Sequence, residues 1–285
     1  MPPGKSSAGE AELVIAPLST VFCADDADMV IRAAGILDFC AHKVMLSFVS
    51  PFFKTMFTVP QPPTDTPGAL PHVDVDESAE TWENILRTIY PMPNPVIDNL
   101  NDLVSLLLAA TKYEMQFVID SHKLNLENRQ FIQQEPLRLY AVACACGLDD
   151  QAKFVARNAE LLTVTRGSRG DDLNGATIAS YCRLITFLVE RDNGLHPILE
   201  QGWMSFDHRC ACLRMSKGFY KKTREKLKTP YIQMEEAYSS ALEERSHYHQ
   251  NTYDGSKCVV KTSEIRGFFG RMFKERERIC NDFIW

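Results

Sequence analysis

The sequence predicts an α+β domain, with a small sheet and a helical bundle, followed by an all-α region. Two observations lead to this fold class: the few short strand-like segments all lie before residue 77, and every later segment with a clear apolar pattern has helical spacing. The chain has 285 residues, of which 45% are hydrophobic, so it can bury a substantial core in one large or two ordinary domains.

Composition restricts the class of function. The formal net charge of −6 provides no overall attraction to nucleic acid or to an anionic membrane. Nine cysteines, an odd number scattered along the chain, do not form the dense framework of a secreted disulfide-rich domain, so we expect reduced thiols. The longest strongly apolar run, residues 103–110, is far shorter than the roughly 20 residues that cross a bilayer. We therefore expect a soluble cytoplasmic or nuclear protein.

The first elements follow a polar tail. Residues 1–17 have the composition of a disordered N-terminal tail. MVIRAAG and ILDFCAH then predict two strands that are joined by a tight turn at Gly35.

The segment KVMLSFVSPFFKTMF, residues 43–57, predicts helical turns that are interrupted at Pro51. A surface helix needs one apolar stripe, whereas this segment has two. The second stripe must be covered either by the rest of the domain or by another molecule. The first stripe consists of Leu46, Val49, Phe53 and Phe57, and the second of Met45, Phe48, Phe52 and Met56.

The next elements complete the predicted α+β domain. Residues 59–71 are rich in proline and predict a long loop. HVDVD alternates as a strand, and Ser78 is placed to cap the following amphipathic helix. Residues 100–115 are apolar on nearly every face, which predicts a helix at the centre of a bundle, capped by Asn101 or Asp102.

The remaining elements are all predicted to be helical. EPLRLYAVACACG ends in a glycine suited to a helix C-terminus, and Asp149 is placed to cap the next helix. ATIASYCRLITFLVE predicts a further helix, and residues 200–285 predict two or three peripheral ones.

Motifs for catalysis and nucleotide binding are missing from the sequence. It contains no GxxxxGK[ST], no GxGxxG after a strand, no GxSxG and no HExxH. We therefore expect a protein that is not an enzyme and has no cofactor.

The nearest approach to a metal site is weak. His208, Cys210 and Cys212 are zinc candidates, but their C-x-C spacing differs from the usual C-x₂₋₄-C, and buried free thiols are the alternative. The basic residues 214–228 are either a solvated helix face or, if zinc orders the neighbouring segment, a nucleic-acid contact in a nuclear regulator.

Several quoted segments together resemble the BTB/POZ domain. They are DADMVI, FCAHK and LSFVSPFFKTMF, followed in order by HVDVDESAETWENILRTIY and LLLAATKYEM. The resemblance extends from about residue 18 to residue 122. Residues 123–165 are loosely similar to a BACK-type extension, as in the short single-BTB proteins of fungi, and the helical extension continues to residue 285.

This resemblance implies a protein-interaction module. Members often form homodimers through their first helices, which points to Met45, Phe48, Phe52 and Met56, or they pair with another BTB chain. Asp28 and Lys43 match the family's charged pocket near the dimer axis.

Some members are adaptors for a cullin-type ubiquitin ligase or bind a corepressor. Cullin-binding members usually carry a hydrophobic-x-Glu element that TVPQPPTDTPGALP lacks, so cullin docking is only an alternative. The net charge of −6 and the shortness of the apolar runs lead us to expect neither nucleic acid nor a membrane as a partner.

Overall fold

The computed structural model describes residues 16–60, 69–167, 176–207, 238–239, 242–243, 262–283 and 285. The chain divides into two compact units, Met1–His122 and Lys123–Trp285. The weak zinc candidates His208, Cys210 and Cys212, the basic residues 214–228 and most of the predicted N-terminal tail lie outside the described residues.

A small mixed sheet forms the β part of the first unit. Strand β1 (Met29–Ala33) pairs antiparallel with β2 (Leu37–Ala41) and parallel with β3 (His72–Val75), which gives the order β2-β1-β3. Ala34 and Gly35 both have positive φ, at 46° and 67°, so the turn between β1 and β2 is tight. The predicted hairpin and third strand are confirmed.

Two short helices follow the hairpin. Helices α1 (Lys43–Val49) and α2 (Pro51–Thr58) meet at Ser50, which has an extended backbone because it precedes a proline. The Ser50 hydroxyl accepts a hydrogen bond from the Phe53 N–H at 3.0 Å and donates one to the Tyr113 carbonyl at 2.6 Å. The predicted interruption is thus a buried cap that serves α2.

Three further helices complete the first unit: α3 (Ala79–Ile89), α4 (Leu100–Lys112) and α5 (Gln116–His122). Ser78 caps α3, as predicted. The prediction that Asn101 or Asp102 caps α4 is wrong, because Asn99 accepts the hydrogen bond from the Asp102 N–H at 2.9 Å. The fully buried residues of α4 confirm its central position; they include Leu103, Leu106, Leu107 and Ala110.

The described elements of the second unit are helical. They are a 3₁₀ helix (Lys123–Glu127), α6 (Arg129–Gln134), α7 (Pro136–Ala145), α8 (Asp149–Asn158), α9 (Leu161–Gly167), α10 (Ile178–Asp207) and α11 (Thr262–Asp282).

Two predicted helix ends in this unit have different outcomes. Gly147 follows α7 with a φ of 67°, in the left-handed conformation expected for a glycine at a C-terminus. The prediction that Asp149 caps α8 is wrong: Leu148 occupies the cap position without a side-chain hydrogen bond, and Asp149 lies in the first turn. An acidic residue there still stabilises the helix through its dipole.

Helices α10 and α11 pack against each other in the second unit. Gly194 permits a close approach, because a Cβ at that position would lie 2.5 Å from Ile279 Cδ1. The face of α11 that carries Ile265, Phe268, Phe269 and Met272 is buried. Among the helices in the described ranges, none is long and apolar enough to cross a membrane.

Candidate interaction surface

The two apolar stripes of α1 and α2 have different surroundings. In the first stripe, Leu46 and Phe53 are completely buried. In the second, Met45 and Met56 are half-buried, Phe52 is 40% exposed and Phe48 is 89% exposed. The other two residues of the first stripe, Val49 and Phe57, are half-buried. The fold therefore covers the first stripe more completely than the second, whose two phenylalanines are both exposed.

Val44 enlarges the exposed surface and was missed in the sequence analysis. It lies one helical turn before Phe48 and is 71% exposed. Residues four apart share a helix face, so this spacing was the signal that could have found it. The name "α1–α2 face" is used below for this surface, which consists of Val44, Met45, Phe48, Phe52 and Met56.

An aromatic cluster lies on the core side of the α1–α2 face and packs against Phe52. The Phe52 ring meets the Tyr113 ring edge-on at a centroid distance of 5.5 Å, and the buried Phe53 ring stacks on Tyr113 at 5.4 Å. The ring centroid of Trp82 lies 5.2 Å from that of Tyr113 and 6.1 Å from that of Phe53. One edge of the Phe52 ring therefore rests on a packed aromatic core, while part of the ring remains exposed.

The carboxylate of Glu77 holds Tyr113 in place. It accepts hydrogen bonds from the Tyr113 hydroxyl at 2.8 Å, from Lys112 Nζ at 2.8 Å and from Trp82 Nε1 at 3.4 Å. Burial alone would raise the pKa of Glu77, but the hydrogen bonds from Lys112 and Tyr113 outweigh burial and lower it. Burial and the bond to Glu77 raise the pKa of Tyr113 to about 12. No sequence pattern had indicated this arrangement.

Asp28 and Lys43 interact through the backbone. The exposed Asp28 carboxylate accepts a hydrogen bond from the Lys43 N–H at 2.7 Å, at the start of α1. The Lys43 ammonium lies 6.0 Å from the centroid of the Phe57 ring. Asp28 thus caps the helix that carries Val44 and Phe48, since a carboxylate at a helix N-terminus is stabilising.

Metal chemistry has no support in the part of the chain that the structure describes. No group of three or more His, Cys, Asp or Glu side chains there is arranged to hold a metal ion. What the α1–α2 face offers chemically is exposed apolar and aromatic area, which favours contact with another apolar surface.

Comparison with known families agrees with this geometry. The family model of the BTB/POZ domain matches residues 20–130, which include the three strands, helices α1 to α5 and the start of the second unit. A search of curated proteins found no match to the chain.

Proposed function

We propose, on the premise that residues 20–130 form a BTB/POZ domain, that this protein is a non-enzymatic adaptor or scaffold that pairs with a second copy of itself through the α1–α2 face. BTB/POZ domains are protein-interaction modules that commonly dimerise. The observation that carries the proposal is the 89% exposure of Phe48 on α1, one turn after Val44, which is 71% exposed. Pairing with a related BTB chain, as the resemblance to short single-BTB proteins of fungi suggests, would use the same surface.

The chemistry of the α1–α2 face suits a second copy. A two-fold interface brings the same patch of both chains together, so the patch must be complementary to itself. Apolar side chains meet this condition, because burying them against other apolar side chains removes both from water. A patch with one sign of charge would repel its copy. All five residues of the face are apolar.

The energetic gain from burying this face is substantial. Removing an exposed Phe or Val side chain from water contributes roughly 1.5 to 3 kcal/mol when burial is complete. Phe48 and Val44 are 89% and 71% exposed, so nearly the whole of this contribution is still unrealised in the single chain. In a symmetric dimer each position contributes twice, because the same side chain is buried on both copies.

The aromatic support of Phe52 reduces the cost of association. Immobilising a side chain at an interface costs about 0.5 to 1.5 kcal/mol when that side chain is free beforehand. The Phe52 ring already packs against Phe53 at 5.3 Å and Tyr113 at 5.5 Å, so its orientation is largely set before a partner arrives. Phe52 is expected to be an anchor of the interface.

The test is the mass in solution of the full chain, measured by light scattering across a concentration series. We expect the wild type to form a dimer and the double variant Phe48→Asp with Phe52→Asp to be a monomer with unchanged circular dichroism. A buried aspartate that faces its own copy would be both desolvated and repelled.

Val96→Asp is the matched control for this experiment. Val96 is an 82% exposed apolar residue of the same unit, between α3 and α4, and does not belong to the α1–α2 face. The control is expected to form the same dimer as the wild type. Folded monomers for all three proteins at every concentration would refute self-association, and loss of the dimer in Val96→Asp would place the interface elsewhere.

A further inference from the structure

A short segment that precedes β1 runs beside the sheet of the first unit. In residues 16–23, the Pro17 carbonyl accepts a hydrogen bond from the Asp38 N–H at 2.9 Å, and the Ser19 N–H donates one to the Asp38 carbonyl at 2.8 Å. These two bonds form a parallel bridge between Leu18 and Asp38. The segment therefore lies along the outer edge of β2.

The same segment brings Cys23 next to Cys40 of β2. The Cys40 N–H donates to the Phe22 carbonyl at 3.0 Å, which is half of the bonding pattern that places two residues opposite each other in a parallel pair. Backbones of paired strands lie about 5 Å apart. That spacing falls within the roughly 4.4 to 6.8 Å between Cα atoms that a disulfide spans.

The two cysteine side chains are both accessible from solvent. The buried Phe22 and Phe39 rings meet edge-on, with centroids 6.1 Å apart, on the core side. Side chains alternate along β2, so Cys40 lies on the side opposite to Phe39. Residues 20–22 are bends in which the Ser19 hydroxyl accepts hydrogen bonds from the Val21 and Phe22 N–H groups, both at 3.2 Å, so the chain turns just before Cys23. Cys23 is exposed and Cys40 is partly exposed. Burial, and secondarily the neighbouring Cys23, raises the pKa of the Cys40 thiol.

We propose that Cys23 and Cys40 form an intrachain disulfide when the protein meets a low-molecular-weight disulfide such as oxidised glutathione. This modification site is separate from the α1–α2 face and does not depend on self-association. In the reduced protein the Cys23 Sγ lies 3.7 Å from the Thr20 carbonyl oxygen, to which its thiol donates. Rotation of this exposed side chain away from Thr20 allows the sulfur to reach Cys40.

The reaction is two successive thiol–disulfide exchanges. The exposed Cys23, as thiolate, attacks one sulfur of oxidised glutathione, which forms a mixed disulfide and releases one glutathione thiolate. Cys40, after losing its proton to solvent, then attacks the Cys23 sulfur and releases the second glutathione. Two electrons pass from the two cysteines to the glutathione disulfide, so one protein disulfide forms for each glutathione disulfide consumed.

The structural consequence is a covalent closure around β1. The bond would add a covalent link between residues 16–23 and β2, which are held together by backbone hydrogen bonds and by the Phe22–Phe39 ring contact. The closed loop restricts the unfolded chain and so favours the folded unit. Amide hydrogen exchange at Ser19 and Cys40 should therefore be slower in the oxidised protein than in the reduced one. Equal exchange rates would refute the claim that the disulfide stabilises the attachment of residues 16–23 to β2.

The experiment treats the reduced full chain with oxidised glutathione under native conditions, quenches it in acid, alkylates free thiols and maps the peptides by mass spectrometry. The expected product is a cross-linked pair of peptides that contain Cys23 and Cys40, with a loss of two hydrogens. A glutathione adduct that persists on Cys23 while Cys40 remains alkylatable, or no change at either residue, would overturn the proposal. So would a cross-link from either cysteine to a different one.

Three variants sharpen the assignment. Cys40→Ser is expected to keep one glutathione on Cys23, because the second exchange has no nucleophile, and Cys23→Ser is expected to form no cross-link at Cys40. Cys182→Ser is the matched control, since Cys182 is exposed in α10 and does not take part. It should give the wild-type cross-link, and loss of the cross-link in this control would contradict the proposed pair.

Discussion

Two pairs of adjacent phenylalanines, one in each unit, show how differently the same local pattern is used. Phe52 and Phe53 in α2 have ring centroids 5.3 Å apart, and Phe268 and Phe269 in α11 have centroids 5.6 Å apart, both edge-on. In α11 both rings are buried, at 4% and 1% exposure. In α2 the Phe53 ring is fully buried, whereas Phe52 is 40% exposed.

The difference arises from the surroundings of each helix. Adjacent side chains on an α-helix project about 100° apart, so neighbours on one side bury only one of the two. The neighbours of α11, which include α10, cover a broad arc. In the first unit, Trp82 and Tyr113 cover Phe53 and only one edge of Phe52. The uncovered arc of α2 and α1 is the α1–α2 face.

The largest effects should follow truncation of the buried rings. We expect Phe53→Ala and Phe269→Ala each to lower the free energy of unfolding by about 3 to 5 kcal/mol, because each leaves a cavity in a packed core. Phe52→Ala should cost about 1 kcal/mol, since much of that ring is already in solvent. Urea unfolding measures all three, and equal losses for Phe52→Ala and Phe53→Ala would contradict the contrast within α2.

Removal of the buried cap between α1 and α2 should have the next largest effect. Ser50→Ala leaves the Phe53 N–H and the Tyr113 carbonyl without their hydrogen-bond partner in a buried site, which we expect to cost about 2 kcal/mol in urea unfolding. Ser78→Ala is the matched control, because it removes a similar cap from an exposed position at the start of α3. Ser78→Ala should lower the free energy of unfolding by about 1 kcal/mol. A larger loss for Ser78→Ala than for Ser50→Ala would show that burial of the cap does not increase its contribution to stability.

The Glu77 carboxylate, which holds Tyr113 in place, should make the first unit sensitive to acid. The folded-state pKa of Glu77 lies below its unfolded value of about 4.3, so ionised Glu77 stabilises the fold above that pH and loses this contribution as pH falls through the folded-state pKa. We expect Glu77→Gln to cost about 1 to 2 kcal/mol at pH 7. The difference from wild type should shrink with acidification.

Urea unfolding at a series of pH values checks this dependence. Glu80→Gln is the control, since Glu80 is an exposed carboxylate on α3. Its effect should stay within about 0.5 kcal/mol at every pH, as is usual for a surface substitution. A loss in Glu77→Gln that stays constant down to strong acid would show that the charge of Glu77 does not stabilise the fold.

The smallest effect on the single chain should come from the most exposed ring. Phe48→Ser should change the unfolding of the isolated chain by no more than about 0.5 kcal/mol, because it alters a solvated position. The variant should instead remove a dependence on concentration: the melting temperature of a dimer rises with protein concentration, and that of the variant should not. A wild-type melting temperature that is independent of concentration would count against pairing through Phe48.

Much of the first unit could be predicted from local patterns. The hairpin at Gly35, the interruption at Pro51 and the cap at Ser78 each depend on residues a few positions apart, so backbone geometry and local hydrogen bonding determine them. The predicted caps of α4 and α8 were wrong by one to three residues. Several polar residues stand near each of those helix starts, and only the register of the helix within its packed surroundings decides which residue takes the cap position and whether a side chain there accepts a bond: Asn99 does so in α4, whereas the cap of α8 is Leu148.

The sequence alone determined that the segment of α1 and α2 has more apolar faces than a surface helix needs, because helical periodicity is a property of the chain itself. Only the tertiary structure decided which face is covered. Tyr113, held by Glu77, comes from a distant part of the chain to pack on Phe53 and one edge of Phe52. No contact in the described part of the first unit does the same for Phe48. Burial depends on neighbours brought together by the fold, and spacing along the chain does not encode them.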